Sequence, residues 1–299
     1  MPTTNPLKNI LQERKKQYDL LRIGKESLVS ILDESEIPES VYNSNAIENS
    51  TLTLKETEKI LLEMEISRDV DLREVYEAKN LARVMEYVRH KSQEAELSEE
   101  LILFLHQMLI ATIDDPIAGR FRKSGEYVRV GTHIAPAPEQ IGRLMEDLLV
   151  GHSSEHTTYF LERIAKFHLD FETIHPFNDG NGRIGRILIN YQLLRMGYPI
   201  LIIRNKEKKT YYRAFHDYRD TKKTDTLERV LYLALLESLH RRITYLKGEE
   251  IVDVAEYAKS HEIYLPRLLN AAARQTIPAF REKGVWKIGA GFIDTSKKN

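Results

Sequence analysis

Residues 175–186 read HPFNDGNGRIGR, and the fold turns on what these twelve residues do. Just before them, Ile164, Phe167, His168, Phe171 and Ile174 recur at three- and four-residue steps, the period of a helix with one buried face. Pro176 resists extending that helix. Asn178, Asp179 and Gly180 are turn formers. Beyond them Ile187, Leu188, Tyr191 and Leu194 resume the helical period, which stops at Gly197 before Pro199. The stretch is therefore expected to be a loop opening a second helix near Gly182 or Arg183, capped by Asn181 or Asp179.

That composition has a chemical reading. At a helix N-terminus the backbone N–H groups of Gly180, Asn181 and Gly182 are unpaired and the dipole is positive, which favours phosphate. Glycine lets the backbone approach an anion closely. Arg183 and Arg186 are three apart and share one side of the first turn. Two arginines there oppose the dipole by about 0.3–1 kcal/mol each, which a bound anion would offset. Asp179 would compete with phosphate alone but assist it by holding Mg²⁺. His175 titrates near neutrality and can accept a proton from an attacking hydroxyl. Gly180, Gly182 and Gly185 also match the dinucleotide fingerprint GxGxxG. That motif needs a preceding strand and an acid about 20 residues on; here the preceding segment has helical period, and the region around Asn205 lacks the acid in a strand-end context.

The rest of the chain supplies the setting. It has 299 residues, 42% hydrophobic and 30% charged, enough for one large or two smaller domains with a sizeable core. The net charge of −1 gives no global attraction to nucleic acid or membrane. Cysteine is absent, which removes disulfides, thiol nucleophiles and thiolate metal sites. No signal-peptide stretch opens the chain and no eighteen apolar residues run together, so no membrane association and a cytoplasmic setting are expected. SEELILFLHQMLIATI and TLERVLYLALLESLHRRITYL are further helices. GRFRKSGEYVRVGTHIAPAPEQI, with Gly, Pro and β-branched residues, predicts a short hairpin. The domains expected are an N-terminal helical region over 1–95, a catalytic core over 96–248 and a small module over 249–299.

HPFNDGNGRIGR resembles the Fic motif, HPFx(D/E)GN(G/K)RxxR, at every defined position, and the resemblance covers about residues 40–220. It implies a mainly α, Fic-type helical domain with a hairpin flap, and transfer of AMP from ATP to a Ser, Thr or Tyr hydroxyl of a target protein. His175 would be the general base, Asp179 the Mg²⁺ ligand, and Gly180, Asn181 and Gly182 the anion hole. Arg183 would bind the β-phosphate and Arg186 the γ-phosphate, with Asn178 in the ATP-binding set and Phe177 buried beneath the loop. Gly182 matches the AMP-transferring branch; the phosphate-transferring branch carries Lys. GEYVRVGTHIAP looks like the family's flap, which clamps the target as an added strand, with Arg129 and Val130 nearest the nucleotide. YYRAFHDYR keeps the Tyr211 and Tyr212 of the adenine end, but Arg219 stands where the family has Asn, leaving another nucleotide donor open.

SNAIEN, residues 44–49, resembles the Fic inhibitory motif (S/T)xxxE(G/N) through Ser44, Glu48 and Asn49. The resemblance implies that Glu48 pairs with Arg186 in the γ-phosphate site and holds ATP unproductively. In some relatives the same glutamate positions a water to remove AMP, so a reverse activity stays open. HSSEH at 152–156 matches a zinc-protease pattern, but its neighbours favour a loop or cap, so no zinc is expected. His106 and His168 read as core histidines and KEKK at 206–209 as a solvated loop. Residues 249–299 resemble a winged helix-turn-helix. VAEYAKSH would be its first helix, LPRLLNAAARQ its recognition helix and IPAFREKGVWKIG its wing, with Trp286 in the core. Between Ile263 and Ile288, Arg267, Arg274, Arg281, Lys283 and Lys287 face one acid, Glu282. That local basic patch keeps a second reading open, a DNA-associated regulator whose Fic core has little transferase activity. Self-association is also left open.

Overall fold

A computed structural model of the chain describes residues 5–66 and 69–294. The outer ends of the expected first and last domains, 1–4 and 295–299, lie outside the described residues. The elements run α1 (Asn5–Leu21), α2 (Glu26–Ile47), α3 (Leu54–Glu58), α4 (Leu72–Lys91), α5 (Glu99–Ile110), β1 (Arg129–Val130), β2 (His133–Ile134) and α6 (Ile141–Ser154). They continue with α7 (Phe160–Ile174), α8 (Asn181–Arg195), α9 (Lys208–Thr221), α10 (Asp225–Lys247), β3 (Ile251–Asp253), α11 (Val254–Ser260), α12 (Leu265–Ala273), β4 (Phe280–Glu282) and β5 (Val285–Gly289). Among the described residues the fold is mainly α with two small antiparallel sheets. Contacts divide the chain into two compact units. One is built mainly from residues 37–198 and 202–231, the other mainly from 5–36 and 232–294.

In the first unit α8 is the central helix. It packs against α4, α5 and α7, and nearly every residue from Asn181 to Leu193 is buried. A helix apolar on most sides belongs inside a bundle rather than on its surface. Leu81, Leu105, Leu109, Phe171, Phe177, Ile184, Leu188 and Tyr191 form the surrounding core and have no exposed surface. The flap hairpin is present: Arg129 pairs with Ile134 and Val130 with His133 across a two-residue turn. Gly131 in that turn has φ +59°, a conformation that suits glycine.

Two local expectations change. HSSEH is not a loop at its start: α6 continues through His152 to Ser154, and only then does Glu155 end it. KEKK is split, with Lys206 and Glu207 in a 3₁₀ turn and Lys208 and Lys209 opening α9.

In the second unit, β3, β5 and β4 form a sheet in that order. α11 and α12 share with it a core of Val254, Tyr257, Ala258, Leu268, Ala272, Ala279 and Ile288. The basic patch expected here is largely neutralised. Arg281 is buried and ion-paired with Glu237. Lys287 pairs with Asp253 and Arg267 with Asp294. The acids responsible lie outside the window in which the charges were counted. Trp286 is half-buried, with the Arg281 guanidinium 4.6 Å above its ring.

Candidate active site

α7 ends at Ile174, and His175 follows in a left-handed conformation, φ +51°. Its amide still donates to Phe171 O at 2.9 Å. A non-glycine residue held there is strained, and such strain persists where the surroundings over-determine it. Phe177 fixes the next turn. It has no exposed surface and stacks on the His106 ring at 3.7 Å between centroids.

His106 does more than fill the core. Its Nδ1 accepts from the Gly119 amide at 3.0 Å, so the proton sits on Nε2, which lies 3.0 Å from the Asp179 carbonyl oxygen it donates to. That pattern needs a neutral ring, and burial pushes the His106 pKa down to about 4. His106 thus pins the loop.

The start of α8 differs from expectation in its cap. The N-cap residue is Gly180, at φ +83°, and no side chain caps the helix. Asn181 is buried and turns its amide back onto Phe177, accepting from its N–H at 2.9 Å and donating to its C=O at 2.8 Å. Asp179 accepts from the Gly180 amide at 2.6 Å and from Arg183 at 3.1 Å through Oδ1. With Asn181 turned away, no side chain caps the amides at the start of α8, which leaves them to an anion, but the Gly180 amide expected to join them is taken by Asp179.

Both motif arginines are buried, Arg183 at 3% and Arg186 at 6% exposure. Their charges are met by carboxylates of the chain itself: Glu48 at Arg186, the pair the resemblance implies, and Glu77 and Asp179 at Arg183, whose charge had been left to a ligand. Arg186 donates through Nη2 to Glu48 at 2.8 Å and to the Ser44 carbonyl at 2.9 Å, and through Nε to Ser44 Oγ at 3.0 Å. The Glu48 contact is a single one through Nη2, because Ser44 takes Nε and shares Nη2 while Nη1 faces the Tyr211 hydroxyl. Glu48 sits just past the end of α2, its amide bonded to Asn45 O, and its side chain is 38% exposed. Gly182 leaves the space: a Cβ there would lie 2.2 Å from Glu48 Oε1. Asn49, at φ +71°, accepts from Lys208 at 2.7 Å.

Three further residues had no signal in the sequence. Glu77, on α4, lies 3.2 Å from Arg183. Arg73, one turn earlier, holds Glu77 at 3.2 Å and donates to Asp179 Oδ2 at 2.5 Å. Buried Arg122 ties the flap to the motif, donating to His175 O at 2.9 Å, Glu126 O at 2.8 Å and Pro136 O at 3.0 Å.

The remaining expected residues are spread out. Arg129 and Val130 are exposed on β1. Tyr211 is buried at 1% exposure, its hydroxyl 2.7 Å from His168 Nε2 and 3.4 Å from Arg186 Nη1. Tyr212 is 40% exposed and donates to Ile47 O. Asn178 and Arg219 are half-buried. A cleft of about 590 Å³ lies beside the flap, lined by residues of α6 and α7 that include Leu148, His152, Phe167 and Thr173.

The donor set fits a magnesium ion that arrives with a nucleotide. Asp179 is a part-exposed carboxylate beside the uncapped start of α8. Mg²⁺ commonly takes one or two protein carboxylates and fills its shell with phosphate oxygens and water.

Residues 96–193 match the Fic/DOC family. A protein adenylyltransferase Fic of Drosophila erecta is 34% identical over 175 residues, which are 58% of this chain and 35% of that protein. The chain thus spans about a third of the length of the curated relatives it matches. A solved Fic domain-containing signaling protein from Bacteroides thetaiotaomicron has TM-score 0.72 at 27% identity, covering 80% of this chain and 97% of that one. A Fic family protein from Desulfovibrio desulfuricans G20, 21% identical with TM-score 0.66, shares the fold over 98% of this chain and 99% of its own. The motif described above lies within residues 96–193, the stretch that matches the Fic/DOC family, and the chain resembles solved Fic proteins in fold.

Proposed function

We propose that this chain is a protein adenylyltransferase that moves AMP from ATP to a hydroxyl side chain of a target protein and is restrained by its own Glu48. One observation carries the reading: two buried arginines at an uncapped helix start, one of them neutralised by a part-exposed carboxylate on a separate helix end. Glu48 keeps part of its side chain in water, so it can give way to an arriving phosphate without stranding its own charge. The curated relatives named protein adenylyltransferase support the same activity.

In this reading the triphosphate lies against the first amides of α8. Arg183 holds the β-phosphate and Arg186, once Glu48 leaves it, the γ-phosphate. Asp179 would hold Mg²⁺, which neutralises phosphate charge. His175 takes the proton of the target hydroxyl as its oxygen attacks the α-phosphorus. The bond from that phosphorus to the bridging oxygen breaks, and pyrophosphate leaves. Such a displacement needs chiefly positioning and charge neutralisation, which these residues supply. The exposed hairpin offers strand edges to an extended target segment. The order of α11, α12 and the β4–β5 hairpin supports reading the last residues as a winged helix. The paired Arg267, Arg281 and Lys287 give no support to a DNA-binding patch.

The test is mass spectrometry of a cell extract treated with ATP and the Glu48→Gly protein. AMP on Ser, Thr or Tyr of extract proteins is expected, and none when His175→Ala is added to that variant. Absence of AMP adducts with Glu48→Gly alone overturns the transferase reading. Adducts that persist with His175→Ala remove His175 as the base.

A further inference from the structure

His175 does not stand alone. Glu172, one turn back on α7, places Oε2 at 3.5 Å from His175 Nδ1. The two side chains are 12% and 15% exposed. His175 Nδ1 has no other partner, and neither does Glu172 Oε1. A buried carboxylate with an empty hydrogen-bond position is costly to keep unless something is gained by it.

The surroundings keep that carboxylate ionised. Burial works against its charge, but the His175 imidazole beside it, His168 and Arg186 together hold its pKa below the usual value. His168 lies one turn further back on the same helix. Burial pushes its pKa down to about 4, and its Nε2 is taken by Tyr211. Gly185 makes room for the group: a Cβ there would lie 2.8 Å from His168 Nδ1 and 3.0 Å from Glu172 Oε1. That close approach gives Gly185, at an undefined position of the motif, a steric reason unrelated to phosphate.

We propose that Glu172 is the positioning residue of the general base: it accepts a hydrogen bond from His175 Nδ1–H and so fixes Nε2 as the proton-accepting atom. This rests on the adenylyltransferase reading. An imidazole has one lone pair to give, and which nitrogen carries it is set by the partner of the other. A carboxylate facing Nδ1 keeps the proton there and leaves Nε2 bare for the hydroxyl. When Nε2 takes the hydroxyl proton the ring becomes a cation, and the same carboxylate stabilises it without itself taking the proton. At 3.5 Å the pair is just beyond a well-formed hydrogen bond, and catalytic contacts of this kind tighten once substrate is bound. Glu172 touches no reacting atom; it acts through His175.

Two measurements separate this role from a merely structural one. The first needs no activity. In the unmodified protein with ¹⁵N-labelled histidine, the His175 ring, assigned by His175→Ala, is expected to carry its proton on Nδ1. A ring protonated on Nε2 overturns the proposal. The second uses the Glu48→Gly background. Glu172→Gln, which keeps the shape, is expected to shift the ring toward the Nε2–H form. It should lower kcat for AMP transfer at least about 10-fold, as loss of an orienting acid does, with KM for ATP unchanged. Glu172→Asp, shorter by one methylene, is expected to restore part of that kcat while keeping the Nδ1–H form. Glu172→Gln with unchanged tautomer and kcat overturns the proposal. If Glu48→Gly transfers no AMP at all, the functional reading fails, and the tautomer result still decides whether Glu172 orients the ring.

Discussion

Two pairs of buried arginines invite comparison. In the Fic core, Arg183 and Arg186 stand at the open start of α8. In the second unit, Arg241 and Arg242 stand in α10. Arg242 has no exposed surface, and its Nη2 lies 2.5 Å from both Asp33 and Glu36, which are 15% and 7% exposed. Arg241 meets Glu36 at 2.5 Å and Glu282 at 3.1 Å. Around Arg183 and Arg186 two of the three acids are wetter: Glu48 is 38% and Asp179 34% exposed, while Glu77 is 15%. The chemistry of the pairs is the same, but the dryness differs. A dry pair is locked, because separating it strands charges in low dielectric. A pair with one partner in water can be exchanged for another anion at small cost. The exchangeable pair is also the one beside a histidine and bare helix amides, where a triphosphate would need it.

The largest effect expected from this contrast is on stability. Arg242→Ala leaves Asp33 and Glu36 buried without their cation and should cost about 3–5 kcal/mol, read from the denaturant midpoint. ATP binding at the Fic core should be unchanged. A loss below 1 kcal/mol would mean that the second cluster is as exchangeable as the first.

Acid should weaken both regions alike. Burial pushes His106 and His168 near the motif, and His240 in the second unit, down to about 4. The unfolded chain therefore takes up these protons first, near pH 6.5. Stability from these groups is complete above that pH and is lost as pH falls toward 4, by about 1.4 kcal/mol per pH unit for each histidine. Denaturation at pH 7 and pH 5 measures it. His240→Gln, which keeps a polar partner for Gln275, should reduce the wild-type loss by one such share. A flat profile between pH 7 and pH 5 would contradict buried neutral histidines.

The smallest expected effect concerns Arg73. Its pair with Asp179 is 49% and 34% exposed, so Arg73→Ala should cost less than about 1 kcal/mol. It frees Oδ2 of the carboxylate expected to meet the metal. With ADP present, Mn²⁺ should bind several-fold more tightly to the variant, as followed by electron paramagnetic resonance. Weaker Mn²⁺ binding would mean that Arg73 helps hold the nucleotide instead.

Much of the core site was legible in the sequence because its residues are contiguous. The loop and a helix beginning within one or two residues of Asn181 follow from twelve residues whose spacing admits few conformations. The Glu48–Arg186 contact was legible only through the family resemblance, since nothing local links residues so far apart. Glu77, Arg73 and Arg122 were not legible. Each is an ordinary charged residue whose meaning comes from which helix or loop it faces after folding. The cap was misread because Asn181 has two uses for its amide, and the buried Phe177 backbone needed both ends of it. The basic patch failed for a similar reason: Glu237, Asp253 and Asp294 lie outside the counted stretch and neutralise it in three dimensions.

The most direct test of the central claim is the rate of AMP transfer from α-³²P-labelled ATP by the unmodified protein and by Glu48→Gly, at equal concentration and with the same target extract. The account predicts labelling by Glu48→Gly at least about tenfold faster, consistent with return of one charge-assisted phosphate contact to Arg186. Equal rates for the two proteins would contradict it.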